Sequence, residues 1–165
     1  IDDLKAEDTA GATMIGTVEF NSSTLYRYAT IATHELFYQL GSDTTATAKA
    51  VGEFARAFTL SMPTGKQNTF ANYTPPNALL VTLREDTSVN LVGAFEKPIR
   101  PTNGEGYVDA SIARLVSHAN AMYQSFVGVP TKTYVVGKGL EGVSEPMSMQ
   151  AMLEDLQKEV ASRCQ

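Results

Sequence analysis

The string Pro63-Thr64-Gly65-Lys66-Gln67-Asn68-Thr69-Phe70-Ala71 gathers a glycine, a cation, two amides and a hydroxyl, with an aromatic close behind. Gly65 permits close backbone approach, Lys66 offers a point charge, and Gln67 and Asn68 supply donors and acceptors. Side chains of these types can hold a phosphodiester backbone. The plainer reading is a polar turn stabilised by its own side-chain hydrogen bonds, and the residues alone leave both open. Nucleotide hydrolysis of the P-loop kind is excluded. That motif needs a glycine where Leu60 stands and a Ser or Thr where Gln67 stands.

Other chemistry is poorly supplied. His34 neighbours Glu35, and His118 falls in a helical pattern; no Gly-x-Ser-x-Gly turn accompanies either, so solvated histidines are the simpler reading. Asp2-Asp3 and Glu7-Asp8 form carboxylate pairs in an acidic opening stretch, where solvation accounts for them. One cysteine, Cys164, and two histidines cannot build a Cys/His zinc site within the chain. Tyr26 and Tyr28 flank Arg27 at strand spacing and have the flat faces that stack bases, although such pairs more often pack a core. Lys97, Arg100, Lys132 and Lys138 fall near strand ends or loops and would form a basic edge if the fold grouped them.

The chain has 165 residues, 43% apolar and 19% charged, which suits one globular domain. No run approaches the roughly 18 apolar residues of a membrane span, and no secretory signal opens the chain. The lone cysteine suits a reducing cytoplasm. The net charge of −5 is the wrong sign for bulk attraction to nucleic acid, so any such role needs a local patch or residues elsewhere. The opening Ile1–Gly11 is acidic and lacks apolar periodicity, as the tail of a loop begun earlier would.

The candidate loop must be positioned by the elements around it. Met14–Phe20 and Leu25–Ile31 are β-rich runs. A short helix is expected at His34–Leu40, capped by Thr33 and stopped by Gly41. Val51, Phe54, Ala55, Phe58 and Met62 repeat at helical spacing over Thr45–Met62, with Asp43 ahead as a cap and Pro63 closing the segment. Leu79–Leu83 and Lys132–Val136 read as strands, and Asn90–Ile99 as another extended piece. A helix over Val108–Phe126 carries a stripe running from Val108 to Phe126. A last one over Met149–Arg163 turns Met152, Leu153, Leu156 and Val160 inward. This irregular alternation gives an α+β class or a split βαβ arrangement.

Three stretches, MIGTVEFNSSTLYRYATI (14–31), MPTGKQNTFANYTPP (62–76) and NLVGAFEKP (90–98), resemble the CasC family in order and spacing. The resemblance runs from near Ile1 to about Tyr123 and weakens over Val127–Gln165. CasC is the guide-RNA-holding backbone subunit of the type I-E CRISPR surveillance complex, Cascade. The resemblance implies a hand-shaped, non-catalytic subunit needing no cofactor, with a partial RRM-like (ferredoxin-like) α+β palm: an antiparallel sheet covered by the helices near Thr45–Met62 and Val108–Phe126. Residues 1–13 would be the returning arm of a thumb loop, and 14–165 the C-terminal portion of the palm. Copies would stack head to tail with other Cascade subunits along the CRISPR RNA, which pairs with target DNA. Gly65, Lys66, Gln67 and Asn68 would face the guide. A scaffolding module without direct RNA contact is the competing reading, favoured by the negative charge.

Overall fold

The computed structural model describes residues 23–62, 64–65, 67–100, 104 and 106–164. The β-rich run Met14–Phe20, the arm at 1–13 and Lys66 lie outside them.

The elements are α1 (Thr33–Gln39), α2 (Thr44–Leu60), a single turn α3 (Gln67–Phe70), β1 (Ala78–Leu83), a 3₁₀ turn (Val92–Phe95), α4 (Tyr107–Met122), β2 (Lys132–Gly137) and α5 (Met149–Arg163). The class is α+β, and the described sheet is one antiparallel pair. Its register runs from Ala78 opposite Gly137 to Leu83 opposite Lys132.

Strand alternation sorts the core. Leu79, Val81 and Leu83 share a face with Tyr134 and Val136 and pack into the cluster of Met152, Leu153, Leu156 and Val160 from α5 and Ala48 and Val51 from α2. Leu80 points the other way, to Leu91, Leu115, Ala119 and Tyr123. The two helices expected on the sheet therefore divide. α4 serves one face, whereas α2 packs against α5, which lies on the other. Each fully buried Leu, Met or Val in these layers contributes about 1.5–3 kcal/mol through apolar area removed from water.

Local chemistry sets the helix ends. Asp43 caps α2, its carboxylate accepting from the Ala46 N–H at 2.9 Å. Ser148 does the same for α5 through the Ala151 N–H at 3.1 Å. Thr33 is not a cap: it is the first residue of α1, and Ala32 precedes it with no side-chain bond. After Met122 the backbone widens into a π turn, Tyr123–Val127. A π turn takes up one residue more than an α turn, so the apolar stripe loses phase. Phe126, expected inward, is 81% exposed.

Leu25–Ile31 forms no strand among the described residues. Side chains tie it down instead. The Tyr26 hydroxyl donates to Asn90 Oδ1 at 3.2 Å and accepts from the Leu91 N–H at 3.3 Å, and its ring lies 5.3 Å from that of Phe95. Arg27 sits 4.5 Å from the Phe58 ring centroid and donates to the Ser61 carbonyl at 3.1 Å. Asn90–Ile99 is not extended either. Asn90 Oδ1 accepts from the Val92 N–H at 3.0 Å and starts the 3₁₀ turn.

Candidate functional site

The candidate loop belongs to the connection between α2 and β1. Gln67 closes its turn with backbone bonds on both sides: its N–H donates to the Thr64 carbonyl at 3.1 Å, and its carbonyl accepts from the Ala71 N–H at 2.8 Å. Ala71 takes the left-handed conformation, φ +48°, and ends the turn. Gly65 is exposed, its φ lies outside the left-handed region, and an added Cβ there would meet nothing within 4 Å. Gln67 is half-buried and Asn68 exposed. The structure therefore brings Gly65, Gln67 and Asn68 together on one short turn, while Lys66 between them lies outside the described residues.

Every residue from Asn68 to Asn77 is exposed. The connection runs from Ser61 to Asn77, and α3 is the one regular piece among its described residues; loops past roughly 12–15 residues are usually functional or linker segments. Arg27 fixes its root by holding the Ser61 carbonyl. What the turn offers is an open run of exposed polar and backbone groups rather than an enclosure for a small molecule.

The other sequence candidates scatter. Tyr26 is a pin, bonded to Asn90 and Leu91, and burial raises its hydroxyl pKa. Tyr28 remains 39% exposed. Lys132 and Lys138 stand at and just beyond opposite ends of β2, so they share no edge. Lys132 is already engaged, with Nζ 3.2 Å from Asp155 and 5.6 Å from the Tyr134 ring centroid. Lys97 lies near Arg114 instead, its carbonyl accepting from Arg114 Nη1 at 2.6 Å. His34 is exposed beside Glu35, and the His118 ring rests against Gly93, where an added Cβ would be 3.2 Å away. Among the described residues, no group of three or more His, Cys, Asp or Glu side chains is placed to hold a metal. None of the described helices is long and apolar enough to cross a membrane.

One polar centre gave no signal in the sequence beyond a basic and an acidic residue two apart. Arg84, at the end of β1, is only 6% exposed in its side chain. Its Nε and Nη2 each donate to an Asp86 carboxylate oxygen at 2.7 Å, Nη1 donates to the Gly128 carbonyl at 3.1 Å, and Nη2 also reaches the Val127 carbonyl. The guanidinium holds the Asp86 carboxyl below the usual carboxylate range, chiefly by hydrogen bonding. A shallow cavity of about 320 Å³ opens beside it, lined in part by Val127, Val129 and Pro130. With its donors spent on Asp86 and on the end of the π turn, Arg84 is a clamp rather than a ligand.

A mixed α+β protein with one long exposed loop between α2 and β1 is the class that the described residues define. Its fold is shared with a chain of a solved "CRISPR RNA-guided surveillance complex", with a TM-score of 0.65 and 23% sequence identity, over 76% of this chain and 50% of that one. The present chain thus spans half the length of its structural counterpart. The profile of the CT1975-like protein family of CRISPR-associated proteins matches residues 1–159, and the chain belongs to that family. No curated protein matches it.

Proposed function

We propose that this chain is part of a non-catalytic subunit that holds the CRISPR RNA in a type I-E surveillance complex, with Gly65, Lys66, Gln67 and Asn68 facing the guide. The observation that carries the reading is the family match, which runs over nearly the whole chain and includes the loop. The projecting turn supports it, because a backbone-holding subunit needs polar groups that reach outward and no enclosed pocket. In this reading residues 1–13 return from a thumb loop and 14–165 complete an RRM-like palm. The partners are CRISPR RNA, further copies head to tail, other Cascade subunits and, through the guide, target DNA. The complex would work in the cytoplasm. The net charge of −5 is then a property of this half and not of the whole guide-binding surface.

The same charge favours the competing reading, a scaffolding subunit that touches proteins alone. Purifying the full-length protein from cells that express a CRISPR array, and sequencing what travels with it, separates the two. The guide-holding reading expects short repeat-derived RNA, released with a steep dependence on salt. Partner proteins arriving without RNA would leave only the scaffold.

A further inference from the structure

From Phe54 to Arg84 the sequence contains no Asp or Glu, although the chain has 18 of them. The three charges in that stretch, Arg56, Lys66 and Arg84, are all positive. Arg84 is consumed by its clamp and Arg56 lies 3.7 Å from Glu53. The projecting connection is therefore an acid-free region on an acidic protein. It also displays aromatic rings: Phe70 is 43% exposed and Tyr73 47%. Around Tyr73 stand Asn72, Thr74 and Asn77, amide and hydroxyl groups that suit a polar partner better than an aliphatic one. Pro75-Pro76 limits the backbone behind the ring, which lowers the entropy lost when it is held against something.

A partner with flat π faces and a negative backbone complements all of these features, and single-stranded nucleic acid has both. We propose that Tyr73 is a stacking platform for one base of the strand held at the neighbouring turn. This rests on the RNA-holding reading above and adds base contact to what would otherwise be backbone contact alone. Stacking is tolerant of sequence because every base offers a π face, so it strengthens grip without selecting a guide.

The test compares an oligouridylate with an abasic ribose-phosphate strand of equal length and charge, each bound to the full-length protein. Tyr73→Ala is expected to weaken oligouridylate binding by about 5- to 150-fold and to leave the abasic strand and its salt slope unchanged. Tyr73→Trp places a reporter at the site, read as the emission it adds over the unaltered protein. Its emission should be quenched by oligouridylate and not by the abasic strand. The proposal is overturned if Tyr73→Ala keeps the full preference for oligouridylate, or if the tryptophan stays bright while anisotropy reports a bound base-bearing strand. A variant that keeps RNA affinity but lowers the assembly's mass in light scattering would make Tyr73 a protein contact and also overturn it. If neither strand binds the unaltered protein, the RNA-holding reading itself fails.

Discussion

At the Leu83 end of the sheet, Arg84 is almost wholly enclosed and directs its bonds to Asp86, Val127 and Gly128. Between α2 and β1, the chain passes from Asn68 to Asn77 without burying a residue. Both regions are polar, but they use polarity in opposite ways. The clamp spends its donors inward and ties the π turn to the sheet. The loop from Asn68 to Asn77 stays exposed, and Arg27 holds its root through the Ser61 carbonyl. Substitutions in the first should therefore change melting and those in the second should change binding.

The largest expected effect lies in the layer that supports the sheet. Leu156 of α5 is fully buried, and Leu156→Ala should cost about 2–5 kcal/mol by opening a cavity. For a chain of this size each kcal/mol lowers the melting temperature by about 2–4 °C. Calorimetry should record that fall, while RNA affinity measured well below the transition stays unchanged. Lost affinity with an intact fold would join the two regions and break the comparison.

Arg84→Met comes next. It removes hydrogen bonds from a charged donor and leaves the Val127 and Gly128 carbonyls without it, so a loss of about 2–3 kcal/mol is expected. The pH dependence sharpens the assignment. The folded pKa of Asp86 is lowered, so its contribution is present above the unfolded value of about 3.9 and is lost as pH falls through the lower folded value. The unaltered protein should lose stability below about pH 4, and Arg84→Met should show a shallower acid limb in urea titrations.

At the crossing of α2 and α5, an added Cβ on Gly52 would stand 2.1 Å from Gln157 Nε2 and 2.7 Å from its Cγ. Gly52→Ala should destabilise by about 1–3 kcal/mol through overpacking. Adding Gln157→Ala should restore stability, because it removes the side chain that the new Cβ meets and leaves the helix preference of alanine over glycine, about 1 kcal/mol. A double variant no more stable than Gly52→Ala would place the strain elsewhere. The smallest effect belongs to the loop: Gly65→Val, at an exposed position without positive φ, should shift stability by no more than about 0.5 kcal/mol.

Much of this division could be read from the residues, for reasons that mark where such reading stops. Helices α2 and α5 were legible because each carries its own period, behind the Asp43 cap in α2 and through Met152, Leu153, Leu156 and Val160 in α5, whereas the Ser148 cap of α5 emerged only in the structure. β1 and β2 were legible as short β-branched runs, and their neighbours settled only which helix covers which face. Leu25–Ile31 misled because β propensity measures fit to a half-buried surface, and here Tyr26 and Arg27 meet that surface through side chains without ladder pairing. Phe126 misled because one π turn shifts the phase of everything after it. The loop's chemistry was visible as a string of residue types, but its projection from the core was not. The Arg84 clamp was invisible because its acceptors, the Val127 and Gly128 carbonyls, lie more than forty residues away and carry no side-chain signature.

The central claim, that the α2–β1 loop grips a guide, is tested most directly by reversing its one charge. Lys66→Glu in the full-length protein should weaken retention of CRISPR RNA and lower the slope of log affinity against log salt by about one unit. Melting should move by no more than about 0.5 kcal/mol, since Gly65 and Asn68 on either side of the turn are exposed. Unchanged RNA retention and an unchanged salt slope in a folded Lys66→Glu protein would contradict the account.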